Sequence, residues 1–383
     1  MTDNNGVTTK DPGGSTRTRY DSVTLDEAPE VNRLLGHIGL GAFDPDDVHT
    51  RVGRNDNWAG RTTTGAQVFV KRLGGPVPED ARRRFERILA FEELATLHPG
   101  ALTGPDLLGH DPESLLVAFT LLPDARSGSE LAADNAFDEE LSRTAGRITG
   151  ALHGLSPDEV VLDSTAHPMP PIHPHNAIPL RGYVSSTFGE LETWRIIQSD
   201  QELMEALRAL RKAESAVTDR RPIHADLRLD QFLLAEDILH LTDFEEFRIG
   251  DPARDVGGVV GEWLYAAMHG IPRAIGDEPD FALGHQASHE EILRHGTAEL
   301  DRLRPRIQAF WAGYREVRGA QAANELRVRA AAYAGWHMFD RMLATAMVGG
   351  RVQAVDRACA GIGRTVLVAP GNSLNVLGLG DQR

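Results

Sequence analysis

Two carboxylates and an amide stand close together in HADLRLDQFLLAEDILHLTDFEEF, residues 224–247. Asp226 is followed five residues later by Gln231, and Asp243 lies seventeen residues beyond Asp226. Two apolar runs, FLL and ILHL, flank the turn-like Ala235-Glu236-Asp237. If they pair as a hairpin, its open end brings Gln231 and Asp243 together. A carboxylate and an amide oxygen side by side are hard ligands suited to Mg²⁺, which keeps waters and phosphate oxygens as its other ligands. Asp226, in the loop just before, would then face whatever the metal holds. Taken singly, either Asp reads as a turn or cap carboxylate, a frequent use of this residue.

A fourth residue is singled out by composition. The chain contains only three lysines, Lys10, Lys71 and Lys212, and otherwise uses arginine. Lys10 lies in a polar tail and Lys212 in a helical stretch, whereas Lys71 ends the apolar run AQVFVKRL. A compact ammonium and a guanidinium are not interchangeable where a phosphate must be reached. The plainer alternative is a strand-end lysine pointing to water.

These residues need elements to position them. The segment VHTRVGRNDNWAGRTTTGAQVFVKRL reads as strand, turn, strand, with Gly53 and Gly60 bracketing a polar loop and Thr64-Gly65 making a second turn. PEDARRRFERILAFEELATL reads as a helix whose first turn is Pro78-Glu79-Asp80. GPDLLGHD and SLLVAFTLL are further strands, and from Asn135 the pattern turns helical. The expected organisation is a disordered tail over 1–28, a strand-rich lobe over 29–123 and a helical lobe over 124–383. The fold class is α+β, with a ligand cleft expected between the lobes.

Bulk composition removes other classes. The 383 residues carry 40 basic and 56 acidic side chains, a net charge of −16, which argues against nucleic-acid binding. No apolar run approaches the ~20 residues of a membrane span, and MTDNNGVTTKDPGGS has no apolar signal core, so a cytoplasmic protein is expected. The single Cys359 excludes an internal disulfide. His167, His173 and His175 lie in a Pro-rich stretch with no cysteine beside them, and read as surface or packing residues before metal ligands.

With this order and spacing the chain resembles the aminoglycoside phosphotransferase and choline kinase branch of the kinase-like enzymes. His224-Ala225-Asp226 through Gln231 stands where that family has H-G-D-x-x-x-x-N, and Gly250-Asp251-Pro252 with Asp255 matches its G-D-P-x-x-D segment. ITGALHGL is similar to the family's A-x-L-H helix, and LLVAFTLLPD to the strand leading into the hinge. Three departures stand out: Ala225 for Gly, Gln231 for Asn, and Asp243-Phe244-Glu245 for D-F-G.

The resemblance implies a two-lobed protein-kinase-like fold and an ATP- and Mg²⁺-dependent phosphotransferase. It makes Asp226 the group that orients the acceptor hydroxyl and takes its proton, Gln231 and Asp243 the metal ligands, and Lys71 the phosphate lysine. A helix glutamate should pair with Lys71: Glu92 first, Glu93 and Glu86 as alternatives. Asn55 or Asn57 would assist the phosphates from GRNDNWAG, Trp58 would cover ligand or pack, and Thr120 to Leu122 would lie near the adenine. Asp255 would brace the catalytic loop.

The phrases FVKRLGG, GRNDNWAG and LGHIGLGAFDPDDV look like the kinase-like subunit of class V lanthipeptide synthetases. That likeness implies phosphorylation of Ser and Thr in a ribosomally made precursor peptide and a separate HopA1-like lyase partner. The alternatives are a small-molecule kinase for an aminoglycoside or other antibiotic, and a pseudokinase serving as a binding or scaffold subunit.

Overall fold

The computed structural model describes residues 8–10, 16–18, 22–51, 53–157, 160–171, 177–278 and 285–380. Two compact units emerge: Met1–Arg126 with Leu233–Glu246, and Ser127–Phe232 with Phe247–Arg383.

Within the stretch expected to be disordered, β1 (Thr8–Lys10) and β2 (Thr16–Thr18) pair antiparallel. Helix α1 (Pro29–His37) turns Val31, Leu34 and Leu35 inward, the i, i+3, i+4 spacing of one helix face. An antiparallel sheet follows in the order β3-β4-β5-β7-β6. Its strands are β3 (His49–Arg51), β4 (Asp56–Arg61), β5 (Gln67–Arg72), β6 (Leu107–Asp111) and β7 (Leu116–Thr120). Between β5 and β6 lies α2 (Pro78–Leu97), with Pro78 at its start and Glu79 and Asp80 in its first turn.

Strand alternation assigns the faces. Val68 and Val70 of β5 join the core built with α1, Phe43, Trp58 and Leu116. Leu73 and Val117 pack on Ala81, Phe85 and Ile88 of α2. Lys71, in step with Leu73 and paired in register with Val117, therefore stands on the α2 face. The turn before β5 forms as its sequence suggests, with Gly65 at φ +87° donating to the Thr62 carbonyl at 2.8 Å. The polar loop expected from Gly53 to Gly60 is shorter. Asp56–Arg61 is already strand, and Gly60 inside it lies so close to the Asp47 carbonyl that a Cβ would clash.

From β8 (Arg126–Ser127) the chain becomes helical: α3 (Gly128–Ala133), α4 (Glu139–Leu152), α5 (Leu180–Ser185), α6 (Phe188–Gln198) and α7 (Gln201–Ser215). Next come β9 (Arg221–Ile223), the strands β10 (Phe232–Ala235) and β11 (Ile238–Leu241), and β12 (Arg248–Gly250). The last helices are α8 (Ala253–Gly276), α9 (His289–Arg318), α10 (Ala320–Gly349), α11 (Ala354–Val368) and α12 (Pro370–Ser373). Glycine lets α4 and α9 touch: a Cβ on Gly146 or Gly313 would stand 2.0 Å from a backbone carbonyl of the other helix. Among the described residues no helix is long and apolar enough to cross a membrane.

The expected hairpin of β10 and β11 forms, and Glu236 (φ +49°) and Asp237 (φ +62°) make the left-handed pair of a tight hairpin turn. It groups with the strand-rich unit, although the sequence placed it in the helical part. Long-range side-chain contacts explain this. Phe244 stacks on Phe91 of α2, and Glu246 pairs with Arg87 at 3.0 Å.

Candidate active site

In the first unit Lys71 is buried and its ammonium contacts Asp243, bringing together two of the expected site residues. A second carboxylate, Glu245, lies 2.7 Å from the same nitrogen. Burial would lower the pKa of Lys71, and the two carboxylates more than offset this, so it is held above its ordinary value. Asp243 adopts a left-handed backbone, φ +68°, at the turn after β11. Its carboxylate supplies the hard oxygens a divalent cation takes.

The expected helix partner is corrected. Lys71 pairs with none of Glu92, Glu93 and Glu86. The buried face of α2 carries Ala81, Arg84, Phe85, Arg87, Ile88, Phe91 and Leu94, so it presents arginines where a glutamate was expected. Glu86 and Glu93 are exposed, and Glu92 is half-buried. Burial, then the nearby Asp106, pushes the Glu92 carboxyl up to about 7.

Asn55 is also corrected as a phosphate contact. It is 7% exposed, donates to Glu245 Oε2 at 2.7 Å, and accepts from Arg84 at 3.0 Å and the Gly74 amide at 3.2 Å. With its carbonyl oxygen taken twice and one amide hydrogen on Glu245, this buried side chain is committed to holding Glu245 and Arg84. Asn57 pairs in register with Lys71 across β4 and β5, and its Nδ2 donates to the Asn55 carbonyl at 3.3 Å. Trp58 packs in the core and its indole N–H donates to the Val23 carbonyl at 3.0 Å. Thr120 closes β7, its amide donating to Asp106 O at 2.9 Å and its hydroxyl accepting from the Asp106 amide at 2.8 Å. Leu122 follows as a half-buried residue beyond the strand end.

In the second unit the catalytic-type loop leaves β9, which pairs with β12 so that Ile223 faces Arg248. Asp255, at the start of α8 and fully buried, fixes this loop. It accepts from the amides of His224 at 2.7 Å and Ala225 at 2.8 Å. His153, at the end of α4, bonds Asp255 at 3.0 Å through Nε2 and the Tyr314 hydroxyl at 3.0 Å through Nδ1. Burial would raise the Asp255 pKa, but the bonds from His153 and the His224 amide hold it below the ordinary carboxylate range. Asp251 caps the same corner, accepting from Arg329 Nε at 2.7 Å and Nη2 at 3.1 Å.

The held loop presents Asp226 with its side chain 42% exposed and Arg228 at 3.7 Å. The preceding Ala225 has φ +70°, a left-handed conformation that costs a residue with a Cβ roughly 1–2 kcal/mol. Gln231 ends a short 3₁₀ turn, Leu229–Gln231, and is buried. A pocket of this unit is lined by Asp226 and Arg228 from the loop and by Tyr333, Trp336, His337 and Asp340 from α10. Behind it His337 pairs with Glu262 at 2.6 Å.

His167 lies beside the Met169 backbone, while His173 and His175 lie outside the described residues. Among the described residues no group of three or more His, Cys, Asp or Glu converges as a metal centre. The sequence reading missed Arg84 and Glu245. The signal for the first was an arginine in register with Phe85, Ile88 and Phe91 of α2; that for the second was the acid in place of the usual glycine.

No curated protein matches the chain in sequence. Among solved structures, a choline/ethanolamine kinase family protein from Mesorhizobium loti is similar with a TM-score of 0.52 at 15% identity, over 93% of this chain and 99% of that one. An amicoumacin kinase, solved with AMP-PNP and Ca²⁺, is similar with a TM-score of 0.51 at 14% identity, over 92% and 94%. These likenesses establish an α+β, protein-kinase-like fold. The family model for phosphotransferase enzymes (APH) matches residues 52–306, from the Lys71 sheet through the Asp255 corner, and the chain belongs to that phosphotransferase family.

Proposed function

We propose that this phosphotransferase moves a phosphoryl group from ATP, with Mg²⁺, to Ser and Thr hydroxyls of a ribosomally made precursor peptide in the cytoplasm. A HopA1-like lyase partner would then eliminate the phosphate. The observation that carries the hydroxyl-transfer part is Asp226, a solvent-reaching carboxylate on a loop whose backbone is held by buried Asp255. Such a carboxylate orients a hydroxyl and accepts its proton late in transfer. Lys71 would hold nucleotide phosphates, and Asp243 and Gln231 offer the hard oxygens that Mg²⁺ prefers. Family membership implies ATP with a divalent metal. The peptide acceptor is supported by the likeness of LGHIGLGAFDPDDV, GRNDNWAG and FVKRLGG to lanthipeptide synthetase kinase subunits.

A second reading, a small cationic acceptor, is favoured by the pocket beside Asp226. Trp336 lines it with an aromatic side chain and Asp340 with a second carboxylate. The test is incubation with ATP, Mg²⁺ and a candidate precursor peptide, read by mass, in parallel with a panel of aminoglycosides and amino alcohols. Phosphate gained on the peptide, or water lost once the lyase is added, supports the first reading. Phosphate gained only on small molecules supports the second, and failure to bind nucleotide with or without the lyase would leave a scaffold role.

A further inference from the structure

In kinase-like enzymes the phosphate lysine is ordinarily held by a glutamate from the neighbouring helix. This chain inverts the charges. The buried face of α2 brings Arg84 and Arg87, and the acids on Lys71 come from the segment after β11; the one acid of α2 in the cluster, Asp80, pairs with Arg84 at 3.2 Å. Arg84 is fully buried beside the lysine's strand and would repel Lys71 across a low-dielectric space unless an anion stood between them. That anion is Glu245, 2.7 Å from Lys71 and 3.4 Å from Arg84. Asn55 ties the two sides, donating to Glu245 at 2.7 Å while accepting from Arg84 at 3.0 Å.

We propose that Glu245 is the positioning residue for Lys71, taking over the work of the helix glutamate, and that Arg84 and Asn55 hold Glu245 in place. The proposal rests on reading Lys71 as the phosphate lysine. It gives the acid of Asp243-Phe244-Glu245 a purpose. Asp243 contacts Lys71 through Oδ1 and is also the carboxylate assigned to the metal, so a cation there would share its negative charge with the ammonium. Glu245 keeps the ammonium aimed when Asp243 turns to the cation. A glycine at 245 would leave Lys71 and Arg84 facing each other with one shared acid fewer.

Nucleotide binding separates positioning from mere stability, because adenosine lacks the phosphates that Lys71 would reach. Affinities for AMP-PNP and for adenosine are measured by titration on the full chain, together with melting temperature. Glu245→Gln should weaken AMP-PNP binding by about tenfold or more and leave adenosine within about twofold. Glu245→Asp should recover part of the loss, and Glu92→Gln should change neither affinity. The proposal is overturned if Glu245→Gln leaves AMP-PNP affinity unchanged, if it weakens both ligands equally, or if Glu92→Gln reproduces its effect. Should Glu245→Gln melt too low to assay, Arg84→Met gives the same contrast, since freeing Glu245 of its anchor should also lower AMP-PNP affinity selectively. Lys71→Met controls the underlying reading. If it fails to weaken AMP-PNP, Lys71 is not the phosphate lysine; if it weakens binding and Glu245→Gln does not, only the positioning role falls.

Discussion

Lys71 and Asp226 are held by different kinds of interaction. Around Lys71 the contacts are between side chains at the ends of flexible stems: an ammonium, two carboxylates, a guanidinium and an amide. Around Asp226 the loop backbone itself is held, by one buried carboxylate that accepts from two consecutive amides and a histidine. Side-chain ion pairs can change partners when a phosphate or cation arrives, because each group keeps its charge and only rotates. Amides fixed by a buried acid cannot rearrange without leaving polar groups unsatisfied, at a cost of about 1–3 kcal/mol each. The first arrangement suits a ligand-binding station, the second a group that must hold one position through the reaction.

The most severe break is expected at Asp226, the exposed carboxylate that the held loop presents. Asp226→Asn should lower the rate of phosphate transfer by about 10²–10⁴-fold, with nucleotide affinity changed little, as steady-state kinetics and titration would record. A loss of affinity of similar size would instead mean that Asp226 binds nucleotide. Next in size is the brace. Asp255→Asn should cost about 3 kcal/mol in a denaturant titration, since the histidine and both amides lose a charged acceptor.

The brace also sets an acid dependence. The folded pKa of Asp255 lies below its ordinary value, so its contribution is complete above the unfolded pKa and is lost as pH falls through the folded one. Stability of the natural chain should therefore fall below about pH 4, and the Asp255→Asn chain should show a shallower fall over that window. A smaller effect is expected from the adaptable side. Lys71→Arg keeps the charge but changes its shape, and should weaken AMP-PNP binding by about tenfold without shifting the melting temperature. The smallest is at Ala225, whose left-handed backbone favours glycine. Ala225→Gly should stabilise the chain by about 0.5–1 kcal/mol and leave nucleotide affinity unchanged.

Much of this was legible in the linear chain because it depends on local order. The hairpin between Gln231 and Asp243 followed from two short apolar runs around a turn. Helix α2 followed from Pro78 and the acids behind it, and the standing of Lys71 from the scarcity of lysine and the strand it ends. The family's spacing, from His153 through Asp226 to Asp251 and Asp255, is likewise a property of the sequence, and the resemblance it carries implies the brace at Asp255.

What tertiary structure decided is which faces meet. Helix α2 carries charged residues on all sides, so its periodicity could not say whether Glu92 or Arg84 turns inward; packing of Phe85, Ile88 and Phe91 settled it. The partner of Lys71 is separated from it by more than 170 residues, and Asn55 from Glu245 by 190, distances over which local patterns carry no information. The same holds for the assignment of the hairpin to the strand-rich unit, made by Phe244 on Phe91 and Glu246 on Arg87. Sequence determined which groups the chain possesses and their order along it. Folding determined which charges meet in a buried space, because only the packed core fixes the side of each element that faces inward.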